Sequence, residues 1–549
     1  MSDRTRVLGI EGTAWAASAA VYDVASDAVA IETEAYQPDS GGIHPREAAE
    51  HMGEHVPQVV ESALSTAREW AREDPDTDLD GGDPPVDCVA FSRGPGLGPC
   101  LRIVATAARA VAQRLDVPLV GVNHMVAHLE IGRHRSGLDS PICLNASGAN
   151  AHVLAYRNGR YRVLGETMDT GVGNAIDKFT RHLDWSHPGG PKVEEAARDG
   201  AYHELSYVVK GMDFSFSGIM SAAKAAVDEG VHVEDVCHGL QEHVFAMLTE
   251  VSERALSLTG SDELVLGGGV GQNARLREML GAMCEQRGAT FFAPEPRFLR
   301  DNAGMIAVLG AKMYAAGDTI PIAESGIDAD FRPDQVDVTW RGRASDAGAV
   351  TDDDDRLKGA EATVEIDGDR VIKHRVPRSY RHPDLDERLR VERTREEARL
   401  TVEARRHGVP TPVLLDVDPW DTRLVFEYVG DADLRERLTE SNVRDVGRHL
   451  ATIHEAGFVH GDPTTRNVRV SVEGKSGEGR TYLIDFGLGY YTDDREDHAM
   501  DLHVLSQSLA GTSDDAAALL SAAETAYASE GDERVLDHLR EIEGRGRYQ

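Results

Sequence analysis

Two successive folding units are expected from this 549-residue chain: an α/β architecture with mixed sheets, then a smaller α+β unit with a β-rich lobe and a helical lobe. Three observations predict them. Short β-branched runs alternate with long helical patterns through roughly the first 340 residues, enough for two lobes. A polar, small-residue-rich stretch from Arg343 to Asp355 then ends in four consecutive acids, as a linker does. Beyond it strands come first and helices follow. The divisions are residues 1–340, a linker over 341–355, and residues 356–549, with no internal repeat.

In the first unit, strands are expected at Arg6 to Ile10, Val86 to Phe91, Leu119 to Val122 and Glu263 to Leu266, with a helix over Arg46 to Arg72. In the second, strands at Ala362 to Ile366 and Arg370 to His374 precede a charged helix over Leu385 to Arg406. A strand at Leu424 to Tyr428 follows, and the remainder reads as mainly helical.

Composition narrows the function classes. There are 94 acidic against 58 basic side chains, a net charge of −36. Bulk charge therefore excludes a basic nucleic-acid coat, though not an enzyme with a local basic groove. Only eight basic residues are Lys, so each Lys marks a position to inspect. An acid-rich, Lys-poor surface suits a high-salt cytoplasm, where screening weakens self-repulsion. With 41% apolar and 28% charged residues, the chain can build ordinary cores. Cys88, Cys100, Cys143, Cys237 and Cys284 form no C-x-x-C pair and read as reduced, buried thiols. The N-terminus has no apolar signal region and no 18-residue apolar run occurs, so a soluble cytoplasmic enzyme without membrane contact is expected.

Glycine clusters punctuate the first unit. Gly267-Gly268-Gly269-Val270-Gly271 follows a strand and opens a helix, where backbone N–H groups can face a phosphate or nucleoside. Gln272 stands where a dinucleotide fingerprint needs its third glycine, which favours a mononucleotide. His124 and His128 are four apart and share one helical face, the spacing that brings two imidazoles to one metal; His51 and His55 have the same spacing. Met125 follows His124 where a zincin has its Glu, which argues against metalloproteolysis.

Together with Gly41-Gly42-Ile43-His44-Pro45, Gly94-Pro95-Gly96-Leu97-Gly98, Asn123 to His128, Gly165-Glu166-Thr167-Met168-Asp169, Asp177-Lys178 and Asp301 to Ala307, this half resembles the universal tRNA threonylcarbamoyladenosine synthase family, the catalytic subunit of the KEOPS complex. The agreement runs from about Val7 to Trp340. The resemblance implies a two-lobed actin/Hsp70-like (ASKHA) fold whose first hairpin begins at Leu8 to Thr13. It implies a metal, iron with zinc as the alternative, held by His124, His128 and Asp301. It also implies substrate contacts from Asn145, Ala146, Ser147, Gly148 and Ala149, from Asp177 on the ribose, from Gly190 and Glu194 near the sugar, and from Asn273 near the adenine. A family Tyr ligand is replaced by Asn145. The implied reaction transfers the threonylcarbamoyl group from threonylcarbamoyl-AMP to the N6 amine of adenosine 37, immediately 3′ of the anticodon, in tRNAs reading codons that begin with A.

In the second unit, Val459-His460-Gly461-Asp462 with Asn467 five residues later has catalytic-loop spacing, and Asp485-Phe486-Gly487 follows a strand. Asp462, Asn467 and Asp485 are the expected catalytic groups. Lys373 would pair the phosphates of ATP, with an acidic partner among Glu387, Glu392, Glu396 and Glu397, and Mg2+ would accompany the nucleotide. Gly359, in the loop before Lys373, and Glu427 are the further nucleotide contacts. No G-x-G-x-x-G and no A-P-E segment occurs, so no conventional peptide-docking segment fits. This region resembles the small atypical kinase of KEOPS, including Tyr380 to Asp386 and an Arg545-Gly546-Arg547 tail, a resemblance that favours Glu397 as the Lys373 partner.

The expected protein is thus a fusion of transferase and regulatory Ser/Thr kinase or ATPase from a halophilic archaeon, with tRNA, threonylcarbamoyl-AMP, ATP and other KEOPS subunits as partners. Two alternatives stand beside it: a signalling Ser/Thr protein kinase with an ASKHA-fold sensor, and a non-catalytic tRNA-binding scaffold.

Overall fold

The computed structural model describes residues 5–36, 44–73, 77–79, 82–148, 150–157, 159–341, 356–358, 362–472, 479–513 and 515–545. Residues 342–355 of the linker expected over 341–355, Gly41 to Ile43, Ala149, Gly359 and the 546–547 part of the tail lie outside these residues.

A hairpin begins the first lobe. β1 (Arg6–Glu11), β2 (Ala16–Asp23) and β3 (Ala28–Ala35) pair antiparallel, and β4 (Cys88–Gly94) and β5 (Leu119–Asn123) add in parallel, in the order β3-β2-β1-β4-β5. Alternation along β1 sends Leu8 and Ile10 to the face covered by α1 (Pro45–Glu73) and α2 (Gly98–Leu115), and Val7 to the other.

α3 (His124–Ser136) follows β5 directly and leads into β6 (Ile142–Ala146), β7 (Ala151–Arg157) and β8 (Arg160–Glu166). Then come α4 (Val172–His182), α5 (Gly190–Ala196), the hairpin β9 (Val209–Lys210) and β10 (Asp213–Phe214), α6 (Ser217–Asp228) and α7 (Val233–Thr259). β11 (Glu263–Gly267), α8 (Ala274–Arg287), β12 (Thr290–Phe292), the short α9 (Pro296–Leu299) and α10 (Ala303–Ala316) complete the unit. The second sheet has the order β12-β11-β6-β7-β8.

α3 and α10 are packed between the two sheets. One continuous core joins Val7, Ala90 and Val122 of the first sheet with Cys143, Leu154 and Val265 of the second through Val126, Leu129, Ile306 and Leu309. This is the two-lobed arrangement that the resemblance implied. Gly9 lets α10 approach β1, because a Cβ there would lie 2.4 Å from the Ala303 carbonyl oxygen.

Midway along α3, the fully buried Glu130 accepts from Tyr161, Arg133, Lys312 and Arg341 at 2.8 to 3.2 Å. Burial opposes its charge, but Lys312 and the arginines hold its carboxyl at about 2. The folded pKa lies below the unfolded value, so this contribution to stability is complete above the unfolded pKa and is lost as pH falls toward about 2. Glu130→Gln is expected to remove ~3 kcal/mol of stability at neutral pH and to flatten the acid limb of urea unfolding.

Beyond the linker, β13 (Arg356–Lys358), β14 (Ala362–Asp367), β15 (Arg370–Arg375), β16 (Leu414–Asp418) and β17 (Arg423–Glu427) form an antiparallel sheet of order β13-β14-β15-β17-β16, with α11 (Pro383–Arg406) beside it. β18 (Ala432–Asp433), α12 (Glu440–Glu455), β19 (Phe458–Val459), β20 (Val468–Val472), β21 (Gly479–Leu483) and β22 (Tyr490–Tyr491) follow, then α13 (Arg495–Thr512), α14 (Ala516–Glu530) and α15 (Arg534–Arg545). The mainly helical expectation for this stretch is incomplete. The period-2 run Val468-Arg469-Val470 buries both valines and makes β20, which with β21 and β18 frames the catalytic-loop segment.

α7 joins the units. Glu250 accepts from Arg381 at 2.6 Å and Arg393 at 3.0 Å of the second unit, and from Tyr207 and Arg254 of the first. One turn on, Glu253 faces Tyr380, Arg378 and Arg287. Lys210 pairs with Asp497.

Candidate functional site

The first constellation sits where the lobes meet. Asn123 caps α3, its side chain accepting from Val126 N–H at 3.0 Å, and Asn302 caps α10 by accepting from Met305 N–H at 3.1 Å. These caps fix the first residues of both helices. His124 and His128 project from α3 and Asp301 from just before α10, and one ligand atom from each lies within 4.8 Å of the others. Asp301 Oδ1 is 3.4 Å from His124 Nε2 and 3.2 Å from His128 Nε2. Among the described residues this is the only such His/Cys/Asp/Glu group, and His51 with His55 has no third ligand.

Sequence reading named Glu11 only as part of the first hairpin. Its carboxylate, fully buried, lies 3.1 Å from His124 Nδ1 and accepts from Thr13 N–H at 2.8 Å. That contact leaves Nε2 to face Asp301, as in a carboxylate–histidine–metal relay. A signal was present: a charged residue ends a strand, RVLGIE, that is buried throughout. Burial opposes charge on His124, yet Glu11 and Asp301 raise it to about 10; burial also opposes charge on Asp301, but the two imidazoles hold it well below the usual carboxylate range. Two carboxylates facing two imidazoles make a pocket whose charge suits a cation. Asn145 Oδ1 is buried with no hydrogen-bond partner among the described residues, and lies close to where a Cβ on Gly267 would also meet His128 Cβ. The donor set of two imidazoles, a carboxylate and an amide oxygen fits a divalent transition metal. Glu11→Gln is expected to weaken metal binding by about 10- to 100-fold, read by competitive chelator titration.

Of the substrate positions implied by the resemblance, Asn145 lies beside His128, and Asp177, Glu194 and Asn273 are held by contacts of their own. Asn145 and Ala146 end β6, and Ser147 turns back, its N–H bonding the Asn150 carbonyl at 2.8 Å. Gly148 accepts from Asn174 N–H, and a Cβ on Gly173 would lie 2.7 Å from the Gly148 Cα. Asp177 accepts from Gly189 N–H at 2.8 Å and faces His187; Glu194 accepts from Ala274 N–H at 2.9 Å; Gly190 has open space where a side chain would stand. Asn273 caps α8 and donates to Gln241 of α7 at 2.8 Å.

The second constellation is a cleft of about 220 Å³ lined by Lys373, Asp462, Asn467 and Asp485. Lys373 Nζ is 2.8 Å from Glu397 Oε1 and 2.8 Å from Asp485 Oδ1. Arg375 also reaches Glu397. Asn467 donates to Asp462 Oδ2 at 2.8 Å. Asp485 adopts a left-handed backbone, φ +63°, a strained conformation typical of a functional turn. Gly461 is required: φ is +81°, and a Cβ would lie 2.2 Å from the Leu488 carbonyl oxygen. Sequence reading missed Asp501 of α13, whose carboxylate accepts from His460 N–H at 2.7 Å and Gly461 N–H at 2.8 Å and so holds the loop. No local motif marks it. Glu427 is exposed at the end of β17, bonds Val413 N–H and does not line this cleft. Met212, Arg254, Ser257 and Leu258 of the first unit close the opposite wall.

Residues 26–308 match the family described as TsaD, tRNA N6-adenosine threonylcarbamoyltransferase, and residues 421–523 match the lipopolysaccharide kinase (Kdo/WaaP) family. The "Probable bifunctional tRNA threonylcarbamoyladenosine biosynthesis protein" of Haloarcula marismortui is 72% identical over 553 residues, covering 99% of this chain and 100% of that protein. The chain belongs to this bifunctional family. Proteins of the same description from Halobacterium salinarum and Methanospirillum hungatei are 69% and 48% identical, each alignment covering 99% of both chains. The TsaD family is metal-dependent and the kinase-like half binds ATP, which matches the two constellations to the two halves. No helix among the described residues is long and apolar enough to cross a membrane.

Proposed function

We propose that this protein transfers the threonylcarbamoyl group of threonylcarbamoyl-AMP to the N6 amine of adenosine 37 in tRNA, and that its second unit is an ATP-using kinase or ATPase that regulates the transfer. The observation that carries the first reading is the His124–His128–Asp301 cluster at the lobe junction, backed by Glu11. His124, His128 and Asp301 would hold iron, or zinc, with Asn145 available as a further oxygen donor. When bound, that metal supplies Lewis acidity toward the threonylcarbamoyl group.

The chain's own groups do the positioning. The backbone N–H groups of Gly148 and of the turn from Gly268 to Val270 would face a phosphate, and Asp177 and Glu194 would flank the place for the sugar. The mixed anhydride is already activated, so amine attack expels AMP without a covalent enzyme intermediate. tRNA, with its phosphates, must be met by local arginines or by other KEOPS subunits in a cytoplasm of high salt, since the chain carries −36.

The Lys373–Glu397–Asp485 arrangement supports the second reading, with Asp485 a ligand for Mg2+ and Asp462 the base. A wall of Arg254 and Leu258 across the cleft speaks against docking of foreign peptides, and so against a signalling kinase. Asp485→Ala is expected to abolish ATP hydrolysis, read as phosphate release; turnover that persists removes this assignment. For the transferase, reconstitution with threonylcarbamoyl-AMP, tRNA and defined metals is decisive: modification by the intact protein and none by a folded His124→Ala variant is the expected pair of results.

A further inference from the structure

The wall that α7 presents to the nucleotide cleft carries an unsatisfied hydroxyl. Thr249, Ser252 and Thr259 of this helix each donate to the carbonyl four residues earlier, at 2.8, 2.8 and 2.7 Å, the usual way a buried helical hydroxyl is paired. Ser257 makes no such bond, and its buried Oγ has no hydrogen-bond partner among the described residues. Leaving a buried hydroxyl unpaired is destabilising, so its retention calls for an explanation. Ser257 lines the same cleft as Lys373, Asp462, Asn467 and Asp485.

A second unsatisfied group faces the same space. Arg466, beside Asn467, also lines the cleft, and its Nε is buried without a partner among the described residues. Burial and the nearby Arg435, Arg287 and Arg157 lower this guanidinium to about 10 against the pull of Asp433. A hydroxyl without a partner and a guanidinium with its Nε unsatisfied, both beside a phosphoryl-transfer loop, are what an acceptor and its phosphate clamp look like before reaction.

We propose that Ser257 is the in-chain acceptor of the γ-phosphoryl group of ATP, and that Arg466 binds that group as it transfers. This rests on the nucleotide-site reading above and names its substrate. Ser257 Oγ forms a bond to the γ-phosphorus, the bond from that phosphorus to the β–γ bridging oxygen breaks, ADP leaves with the electron pair, and the hydroxyl proton passes to the Asp462 carboxylate. The product places a dianion in the last turn of α7, against the helix dipole. The same helix carries Gln241, which holds Asn273 at the other site at 2.8 Å, so the modification acts on an element shared by both sites.

The test incubates the full chain with Mg2+ and ATP, maps phosphate by peptide mass spectrometry and follows ATP consumption in parallel. One phosphate on Ser257 is expected, at a rate per chain independent of protein concentration, absent from Ser257→Ala and Asp462→Asn, and slowed about 100-fold in Arg466→Gln. Phosphate on Thr464 or Thr465 with Ser257 bare, a rate that rises with concentration, or ATP consumption with no phosphorylated chain overturns the proposal while leaving the nucleotide site standing. A chain that consumes no ATP overturns both.

Discussion

Asp301→Ala is expected to lower threonylcarbamoyl transfer by about 1000-fold or more while leaving the fold intact. Asp301 is the one carboxylate shared by both imidazoles, at 3.4 and 3.2 Å, and it precedes α10 without bearing on the Asn302 cap. Its removal would strip the only carboxylate from the three proposed ligands, so metal binding is expected to weaken and transfer with it. Core packing of α10 through Met305, Ile306 and Leu309 does not involve it. Mass spectrometry of nucleosides from bulk tRNA reads the effect in cells dependent on the variant. Unchanged threonylcarbamoyladenosine with a folded Asp301→Ala protein would sink the transferase reading and favour a scaffold.

Glu250→Ala has the next largest expected effect, on the union of the two units. One fully buried carboxylate serves Arg254, Arg381, Arg393 and Tyr207. Removing it leaves buried guanidinium groups facing one another, a change that costs about 3–5 kcal/mol. Urea unfolding is expected to split into two transitions, the second unit melting apart from the first. Glu250→Gln, which keeps an acceptor but not the charge, should fall between. Because the pairs are buried, added KCl should restore little of the loss, unlike for surface pairs. A single transition displaced by less than ~1 kcal/mol in Glu250→Ala would show that the units are held by apolar contacts instead.

Much of the metal cluster was legible along the chain because His124 and His128 lie one helical turn apart, and a 3.6-residue period is a local property. Asp301 was legible only through the resemblance, since nothing within 173 residues of sequence links it to His128. Glu11 and Asp501 were passed over for a related reason. Each acts by accepting hydrogen bonds from residues far away in sequence, and a lone carboxylate in an apolar run leaves no periodic trace. Scarcity of lysine proved a useful pointer: Lys210, Lys312 and Lys373 each close a charged pair with Asp497, Glu130 and Glu397.

The sequence by itself determined the α/β and kinase-like halves, the helices and strands that bear the motifs, and the residue types at both sites. These rest on hydrophobic period, turn chemistry and short-range spacing, all of which act over a few residues. Only the tertiary structure decided that Glu11 orients His124, that Asp501 holds the catalytic loop, and that α7 of the transferase half forms a wall of the nucleotide cleft with Ser257 in it. Those contacts join segments forty or more residues apart, or in different units, and they are selected by the packing of whole elements and the pairing of buried charges, which no local stretch encodes.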